Sequence, residues 1–456
     1  MNVIPFVHEG LGNSAYLVQV GTDEAVLVDP LRSVDQYLRA AEDRGWRIGT
    51  VLETHLHADF VSGAPEVAHA TDADVYVPEA GNVRFPHRPV KPAERIRIGG
   101  FDLEAIASPG HTPEHLSYVL RAGQEPPALF SGGSLLVGGA ARTDLIAPEM
   151  TDALTHSMFR TLKTAFASLP DETLLYPTHG GGSFCSAVPG ADRTSTLGLE
   201  RRQNAALAVD DEDEFVRWFP TTFPAIPAYF FRMRPINQEG PRLRERIAPS
   251  PPLQPNAFDA ARQGALIVDV RATEAYAEGH VPGSLSNEFR DSYAVWLGWL
   301  AAPETALLFV RDNESLQRIE EESLLVGYEQ FAGWLEGGIA AWMKAGKPLA
   351  TAPLVDATEA RKALLAGAIA LDVREPNEYA AGHVADAISI PLGQLEARLA
   401  ELPRDRPIVA YCGHGERSAS GISILERAGF ENLVNLDGGF GVWEEAGYPQ
   451  EPSQPA

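Results

Sequence analysis

The first part of the chain alternates apolar and polar residues, which is the pattern of half-buried β-strands. This alternation over residues 16–20 and 25–28 predicts two strands joined by a turn. A helix is predicted near residues 34–44, and a buried strand follows at 48–53. Strands and helices keep alternating past Tyr176, which predicts a first domain of the α/β or α+β class.

A proline-rich stretch then interrupts the pattern between residues 233 and 256. Prolines at this density are not tolerated in a helix or a central strand, so we place the first domain boundary near residue 245. The stretch contains Pro235, Gly240, Pro241, Pro249, Pro251, Pro252 and Pro255.

Beyond this stretch the chain contains an internal repeat of about 100 residues, which is the size of one small domain. Short apolar strands separated by helical patterns predict that each copy is an α/β unit with a parallel sheet. We therefore predict three domains, at residues 1–245, 256–350 and 354–450. Segments that recur are Val268-Asp269-Val270-Arg271 as Leu371-Asp372-Val373-Arg374, Gly279-His280-Val281 as Gly382-His383-Val384, and Gly337-Gly338 as Gly438-Gly439.

Composition narrows the class of protein. The hydrophobic share of 45% and the charged share of 22% are ordinary for a folded globular chain. The formal net charge of −25 argues against nucleic acid or an anionic membrane as a partner. With only Cys185 and Cys412, and no long apolar run, we expect a cytoplasmic protein without disulfides. We also expect it to form a homo-oligomer.

Cys412 follows a predicted buried strand at residues 407–411 and precedes a predicted helix at 419–428. Backbone N–H groups in such a loop, and at the start of the helix, stabilise an anion and lower a thiol pKa from about 8.5. The alternative is a buried structural cysteine, because this residue type is so often buried. The loop reads Cys412-Gly413-His414-Gly415-Glu416-Arg417-Ser418.

This loop, with Asp372-Val373-Arg374-Glu375 and Gly438-Gly439-x-x-x-Trp443, resembles the rhodanese family over residues 354–450. The resemblance implies sulfurtransfer between thiols, persulfides, thiosulfate or sulfite, with Cys412 as the persulfide carrier and Arg417 as its catalytic partner. The first copy has no cysteine after its strand at 306–310, so we interpret it as a silent unit. Substrate-binding residues implied by the resemblance are Gly413, His414, Gly415, Glu416 and Ser418.

Histidines cluster at predicted strand ends in the first domain. His55-x-His57-x-Asp59 is a specific spacing, because in an irregular loop it can direct two imidazoles and a carboxylate to one point. His111 and His179 lie in further loops, at Pro-Gly-His-Thr and Pro-Thr-His-Gly. We therefore expect a metal site in this domain.

These segments resemble the metallo-β-lactamase superfamily, and within it the persulfide dioxygenases fused to rhodanese domains. The resemblance implies an αββα sandwich and a mononuclear non-haem iron bound by two histidines, His55 and His111, and one aspartate. The aspartate position is Gly133, which cannot ligate through a side chain. Phe60 replaces a further histidine of the wider superfamily, which argues against a site with two metals.

Three alternatives follow for the metal site. His55, His57 and His111 could hold iron or zinc, Asp59 could supply a substitute carboxylate, or the site could hold no metal. His179 and Asp144 are assigned as residues that orient the ligands by hydrogen bonding.

Three functions are compatible with these residues. The first is a bifunctional enzyme that oxidises a persulfide to sulfite in the first domain and transfers sulfur through Cys412. The second is a sulfurtransferase whose first domain is a scaffold, in which case Gly133→Asp should create or strengthen iron binding. The third is a thioester hydrolase of the glyoxalase II type, which needs two metals.

Overall fold

The computed structural model describes residues 1–186, 190 and 192–451. The chain divides into two compact units. Unit 1 comprises Met1–Ile247 together with Glu321–Gly327, and unit 2 comprises Ala248–Glu320 and Tyr328–Ala456. Within the described ranges no helix combines the length and the apolar character that crossing a bilayer requires.

Unit 1 contains two sheets of six strands each. The first sheet has the order β1-β2-β3-β4-β5-β6 and the second has the order β12-β11-β10-β9-β8-β7. Strands of the first sheet are β1 Val3–His8, β2 Asn13–Gln19, β3 Glu24–Val28, β4 Arg47–Leu52, β5 Asp74–Pro78 and β6 Arg88–Val90. Strands of the second are β7 Arg95–Ile98, β8 Phe101–Ala107, β9 Leu116–Arg121, β10 Ala128–Gly132, β11 Leu174–Pro177 and β12 Ser195–Thr196.

The two sheets share one core because alternate residues of each strand point to opposite faces. In β9, Tyr118 and Leu120 pack with Tyr16 and Val26 of the first sheet. Val119, between them, packs on the outer face of its sheet with residues of the helices there. The half-buried strands predicted at 16–20 and 25–28 are in fact buried on both faces, because helices cover the sheets from outside.

Seven helices accompany these sheets in the described part of unit 1. The last of them runs through Pro235, where the sequence predicted only a linker. A proline removes one backbone donor from the helix. Hydrogen bonds from neighbouring side chains nevertheless hold this helix to the rest of unit 1. The helices are α1 Asp35–Glu42, α2 Ala64–Thr71, α3 Thr151–Arg160, α4 Leu197–Gln203, α5 Ala205–Ala208, α6 Glu212–Trp218 and α7 Phe230–Glu239.

Unit 2 contains the two repeats apart from residues 321–327, and each repeat has a five-stranded sheet. In the described ranges every strand pair of these two sheets is parallel, which confirms the predicted class. The orders are β13-β17-β16-β14-β15 and β18-β23-β22-β19-β21, and β20 pairs with β24. The first repeat comprises β13 Pro252–Leu253, α8 Pro255–Ala261, β14 Ala265–Asp269, α9 Thr273–Glu278, β15 Leu285–Ser286, α10 Tyr293–Leu300, β16 Ala306–Val310, α11 Leu316–Leu325, β17 Phe331–Leu335 and α12 Gly338–Lys344. The second comprises β18 Leu354–Val355, α13 Ala357–Leu365, β19 Ile369–Asp372, α14 Pro376–Ala381, β20 His383–Val384, β21 Ile388–Ser389, β22 Ile408–Tyr411, α15 Glu416–Arg427, β23 Leu433–Leu436, α16 Gly439–Glu445 and β24 Gln450–Glu451.

The two repeats are joined through helix α15 of the second. The Ser420 hydroxyl donates to the Ser286 carbonyl at 2.6 Å, and the Ser286 N–H donates to the Ser423 hydroxyl at 3.1 Å. Leu285 of the first repeat belongs to the same hydrophobic core as Ile422 of the second. The first repeat therefore fixes the helix that begins directly after the Cys412 loop.

Candidate functional site

Cys412 lies between the end of β22 and the start of α15. The Gly415 N–H donates to its Sγ at 3.0 Å, and the Ser418 hydroxyl lies 3.5 Å from the same atom. These donors are placed to stabilise negative charge on sulfur. The residue has 0% exposed surface, so a sulfur donor reaches Sγ only when the loop over it moves.

Two glycines allow the backbone to close around this cysteine. Gly415 has a φ of 119°, which side chains other than hydrogen rarely permit. A Cβ added to Gly439 would lie 2.5 Å from the Cys412 carbonyl oxygen. The same carbonyl accepts the Phe440 N–H at 2.7 Å, so the repeated Gly-Gly pair lets α16 support the loop from behind.

Arg417 is bonded to a carboxylate. Its two terminal nitrogens donate to Glu378 at 2.6 and 2.7 Å, a bidentate pair. Burial works against the charged form of Glu378, yet Arg417 outweighs it and lowers the pKa of that carboxyl. Arg417 therefore fixes α14 against the loop.

The remaining loop residues predicted to bind substrate form its outer side. Gly413 is partly exposed, and His414 is exposed. Glu416 lies 3.6 Å from Arg290 of the first repeat, measured from Oε1 to Nη1. Gly413, His414 and Glu416 are therefore the residues of this group that solvent reaches.

The equivalent loop of the first repeat is filled by its own side chains. Arg311 follows β16 as Cys412 follows β22, and its guanidinium lies 4.5 Å from the ring centroid of Trp334. It also donates to the Glu314 carbonyl at 2.9 Å. A cation in place of the thiol leaves this repeat without the sulfur nucleophile.

The histidines of unit 1 meet at one end of its two sheets. His55 and His57 follow β4, His111 lies between β8 and β9, and His179 follows β11. All four are buried. Three different loops therefore deliver imidazoles to one place, which sequence spacing alone could not establish.

Hydrogen bonds fix the tautomers of His55 and His111. The His111 Nδ1 lies 2.6 Å from the Arg142 carbonyl, which can only accept, so Nδ1 carries the proton. The Thr54 hydroxyl donates to Asp29, and therefore accepts from the His55 Nδ1 at 2.8 Å. In both rings the Nε2 atom is left with a free lone pair.

His179 is oriented in the same way. Its Nδ1 lies 3.1 Å from Asp59 Oδ2 and 3.2 Å from Asn13 Oδ1, and both are acceptors. The Asn13 amide in turn donates to Asp59 at 2.9 Å. Nδ1 therefore donates, and Nε2 points toward the other two rings.

The three Nε2 atoms converge and suit a metal ion. Ligand atoms of His55, His111 and His179 all lie within 4.8 Å of one another, and the His55 and His179 Nε2 atoms are 3.3 Å apart. His111 Nε2 is buried and has no hydrogen-bond partner in the described structure. A single proton could bridge His55 and His179 but would leave His111 unsatisfied, whereas a metal ion would satisfy all three. Burial lowers the pKa of His111 to about 3, which keeps its lone pair available.

His57 is directed elsewhere. Its Nε2 lies 3.0 Å from Glu53 and 3.3 Å from Asp29. Burial alone would lower the pKa of His57, but these two carboxylates outweigh it and raise the pKa to about 10. The structure thus brings His55, His111 and His179 together and also groups His57 and Asp59 with His179, whereas the sequence-based set was His55, His57 and His111.

Asp144 reaches the site through one intermediary. It accepts from Arg142 at 2.6 and 2.9 Å, and the Arg142 carbonyl orients His111 as described above. The orienting role of Asp144 stays a prediction, and the contact through which it could act is the one with Arg142.

Two families of known proteins match this chain. The model of the metallo-beta-lactamase superfamily matches residues 8–179, and that of the rhodanese-like domain matches 255–345 and 356–446. A hydroxyacylglutathione hydrolase of Polaromonas sp. is 35% identical over 249 residues, which cover 52% of this chain and 86% of that protein. The chain belongs to the metallo-beta-lactamase superfamily. It carries two rhodanese-like domains after its metallo-beta-lactamase domain.

Two further relatives extend this comparison. The mitochondrial persulfide dioxygenase ETHE1 of Homo sapiens is 29% identical over 195 residues, which cover 42% of this chain and 70% of that protein. The crystal structure of a metallo-beta-lactamase from Staphylococcus aureus aligns with 74% of this chain and 98% of its own, at 30% identity and a TM-score of 0.66. The resemblance to a metallo-beta-lactamase domain joined to rhodanese domains is thereby confirmed.

Gly133, the position where the resemblance implies a carboxylate, has no room for one. An added Cβ would lie 2.5 Å from Cδ2 of the His111 ring. The Gly133 N–H donates to His115 Nε2 at 2.9 Å, and this bond fixes the position of the Gly133 backbone. A side chain at this position requires His111 to shift, so Gly133→Asp would place a carboxylate beside the ligands only by moving one of them.

A minimal substitution tests this packing. We expect Gly133→Ala to destabilise the protein by about 1–3 kcal/mol, the usual cost of overpacking a filled interior. Thermal unfolding of the metal-free protein measures it. The matched control is Gly264→Ala, where an added Cβ meets nothing within 4 Å, and it should leave the melting temperature nearly unchanged. Equal melting temperatures for the two variants would contradict the packing argument.

Sequence reasoning did not find the supporting residues of this site. His115 is buried and stacks on His55, with ring centroids 4.8 Å apart. Asp29 accepts from both the N–H and the hydroxyl of Thr54. The one available signal was the Asp29-Pro30 pair at the end of a strand, which marks a carboxylate at the edge of the sheet that carries the histidines.

Proposed function

We propose that this protein is a sulfurtransferase in which Cys412 carries sulfane sulfur as a persulfide. The observation that carries the proposal is the placement of Cys412 Sγ beneath the Gly415 N–H and the Ser418 hydroxyl at the start of α15. A thiolate or persulfide anion gains from such donors. The rhodanese-like match over residues 356–446 includes this loop.

Transfer would take place in two steps. The Cys412 thiolate attacks the outer sulfur of thiosulfate, the S–S bond breaks, and sulfite leaves with the electron pair. A nucleophilic acceptor such as cyanide or a thiolate then attacks the outer sulfur of the persulfide and releases the Cys412 thiolate. Because Cys412 is buried, both steps need the segment of Gly413 to Gly415 to open, and Gly415 supplies the backbone freedom for it.

Steady-state kinetics test this scheme. A covalent persulfide intermediate predicts ping-pong behaviour, with parallel double-reciprocal lines when thiosulfate is varied at several cyanide concentrations. Intersecting lines, or no thiocyanate formed, would overturn the proposal.

A second activity is favoured by the three converging imidazoles. We propose that His55, His111 and His179 hold one divalent metal ion, and that persulfide oxidation takes place there. Such an ion supplies redox or Lewis-acid chemistry and open positions for small ligands. Asp59 and Asn13 orient His179, Arg142 orients His111, and Thr54 orients His55. The human relative named persulfide dioxygenase supports this choice.

The oxidation balances as one persulfide, one O₂ and one water giving one thiol, one sulfite and two protons. Oxygen consumption by iron-loaded protein with glutathione persulfide measures it, and sulfite should appear in equal amount. If a protein that holds iron stoichiometrically shows neither oxygen consumption nor sulfite, the proposed oxidation is wrong. The proposed sulfurtransfer would not be affected by that result.

Thioester hydrolysis is less well supported, although several relatives are named hydroxyacylglutathione hydrolase. Phe60 is buried and stacks on His57 at 4.2 Å between ring centroids, and His57 is bonded to carboxylates. Phe60 offers no ligand atom where the resemblance expects a further histidine, although His57, Asp59 and His179 also form a group of potential ligands. Release of thiol from lactoylglutathione by the metal-loaded protein would favour this function instead.

A further inference from the structure

Helix α7 holds the histidine loop of the metallo-beta-lactamase domain through one side chain. Asn237 is 3% exposed, and its Nδ2 donates to the carbonyls of His57 and Phe60, at 2.9 Å each. Its Oδ1 accepts the Ser62 N–H at 2.8 Å. All three partners are backbone atoms of the loop of residues 57–62, so Asn237 fixes the path of the main chain itself.

The same helix is bonded to the loop between β8 and β9, which carries His111, through Arg234. Its guanidinium forms a bidentate pair with Glu114, at 2.7 and 3.0 Å. Glu114 is buried, and in the sequence it lies between His111 and His115. Its Oε1 also accepts the Leu56 N–H at 3.1 Å. Arg234 thereby ties the loop that follows β4 to the loop that precedes β9.

Tyr229, directly before α7, adds a third contact between this helix and the histidine loops. Its hydroxyl donates to the Asp59 carbonyl at 3.1 Å. Asp59 orients His179, which carries the third imidazole. The start of α7 is therefore hydrogen-bonded to the residue that orients His179 as well.

We propose that Asn237 and Arg234 are positioning residues that set the affinity of the metal site formed by His55, His111 and His179. The proposal rests on the second activity proposed above, because it presupposes that this site binds metal. Neither side chain is a ligand or touches one of the three imidazoles in the described structure. Their effect is to hold two ligand-bearing loops in register, and loosely held ligand shells lose affinity.

The test compares two neighbouring residues of the same helix in the full-length protein. Asn237→Leu keeps the branched shape and the number of heavy atoms of the side chain and removes all three hydrogen bonds to the loop. Gln238→Leu is the matched control, since the Gln238 side chain donates to the Gly81 carbonyl, at 3.0 Å, and not to the loop of residues 57–62 in the described structure. Cobalt(II) is titrated into each metal-free protein in competition with a chelator, and its visible absorption spectrum reports the geometry of the site.

We expect Asn237→Leu to weaken cobalt binding by about 10- to 100-fold, as supporting residues of metal sites commonly do, and to shift the absorption bands. Gln238→Leu should bind cobalt as the unmodified protein does. Arg234→Gln provides a second variant in case Asn237→Leu does not fold, and it should weaken binding in the same direction.

Three outcomes would count against the proposal in different ways. If the unmodified protein binds no cobalt, the metal site itself fails. If it binds cobalt but Asn237→Leu and Arg234→Gln bind it equally well and with the same spectrum, the site stands and the positioning role is wrong. Equal weakening in Asn237→Leu and Gln238→Leu would assign the effect to general loss of helix stability and would also overturn the role.

Discussion

Replacing Cys412 with serine is expected to abolish sulfur transfer from thiosulfate to cyanide. The hydroxyl cannot carry sulfane sulfur, so the rate of thiocyanate formation should fall by roughly 1000-fold or more, as it does when other covalent enzymes lose their nucleophile. The fold should persist, because serine is slightly smaller than cysteine and can accept from the same Gly415 N–H. Thiocyanate production measures the activity, and circular dichroism checks the fold.

The matched control for this variant is the other cysteine of the chain. Cys185 is equally buried, and burial raises the pKa of its thiol well above the usual value. It lies in the metallo-beta-lactamase domain, so Cys185→Ser should transfer sulfur at the normal rate. Normal activity in Cys412→Ser together with loss in Cys185→Ser would move the nucleophile to the first domain.

Replacing His179 with alanine is expected to weaken metal binding by about 100-fold or more, because it removes one of three converging nitrogen donors. The buried His55 and His111 cannot by themselves complete a stable ligand set. Elemental analysis after dialysis against chelator measures the bound metal, for the unmodified protein and the variant side by side.

Two further variants make this result specific. His69→Ala alters an exposed histidine paired with Glu245 at the surface, and it should keep the full metal content. His57→Gln separates the two possible ligand sets, and it should retain metal even where stability falls, because His57 is bonded to Glu53 and Asp29. Loss of metal in His57→Gln with retention in His179→Ala would restore the set drawn from sequence spacing.

Much of the architecture could be predicted from sequence, because local pattern determined it. The helix predicted near residues 34–44 is α1, and the strand predicted at 306–310 is β16. The repeat was visible because both copies keep the same strand ends and the same glycine pairs, whose positive φ angles favour glycine. The buried position of β2 on both faces was missed, since covering helices come from distant parts of the chain.

The geometry of the sites was less accessible to sequence. The His-x-His-x-Asp spacing predicted that His57 joins His55 as a ligand. In the structure the His57 ring faces Asp29, which lies 28 residues earlier in the sequence. His179 joins the site because β11 pairs with β10, a contact that no local pattern encodes. Arg417 looked like a partner of the sulfur, and only the folded chain shows Glu378 bonded to it.

Mass spectrometry of the protein after incubation with thiosulfate can detect a persulfide on Cys412. The peptide containing Cys412 should gain the mass of one sulfur atom, and addition of cyanide should remove it. A Cys412 peptide that stays unmodified while the protein turns over thiosulfate, or sulfur found on Cys185 instead, would contradict this role of Cys412.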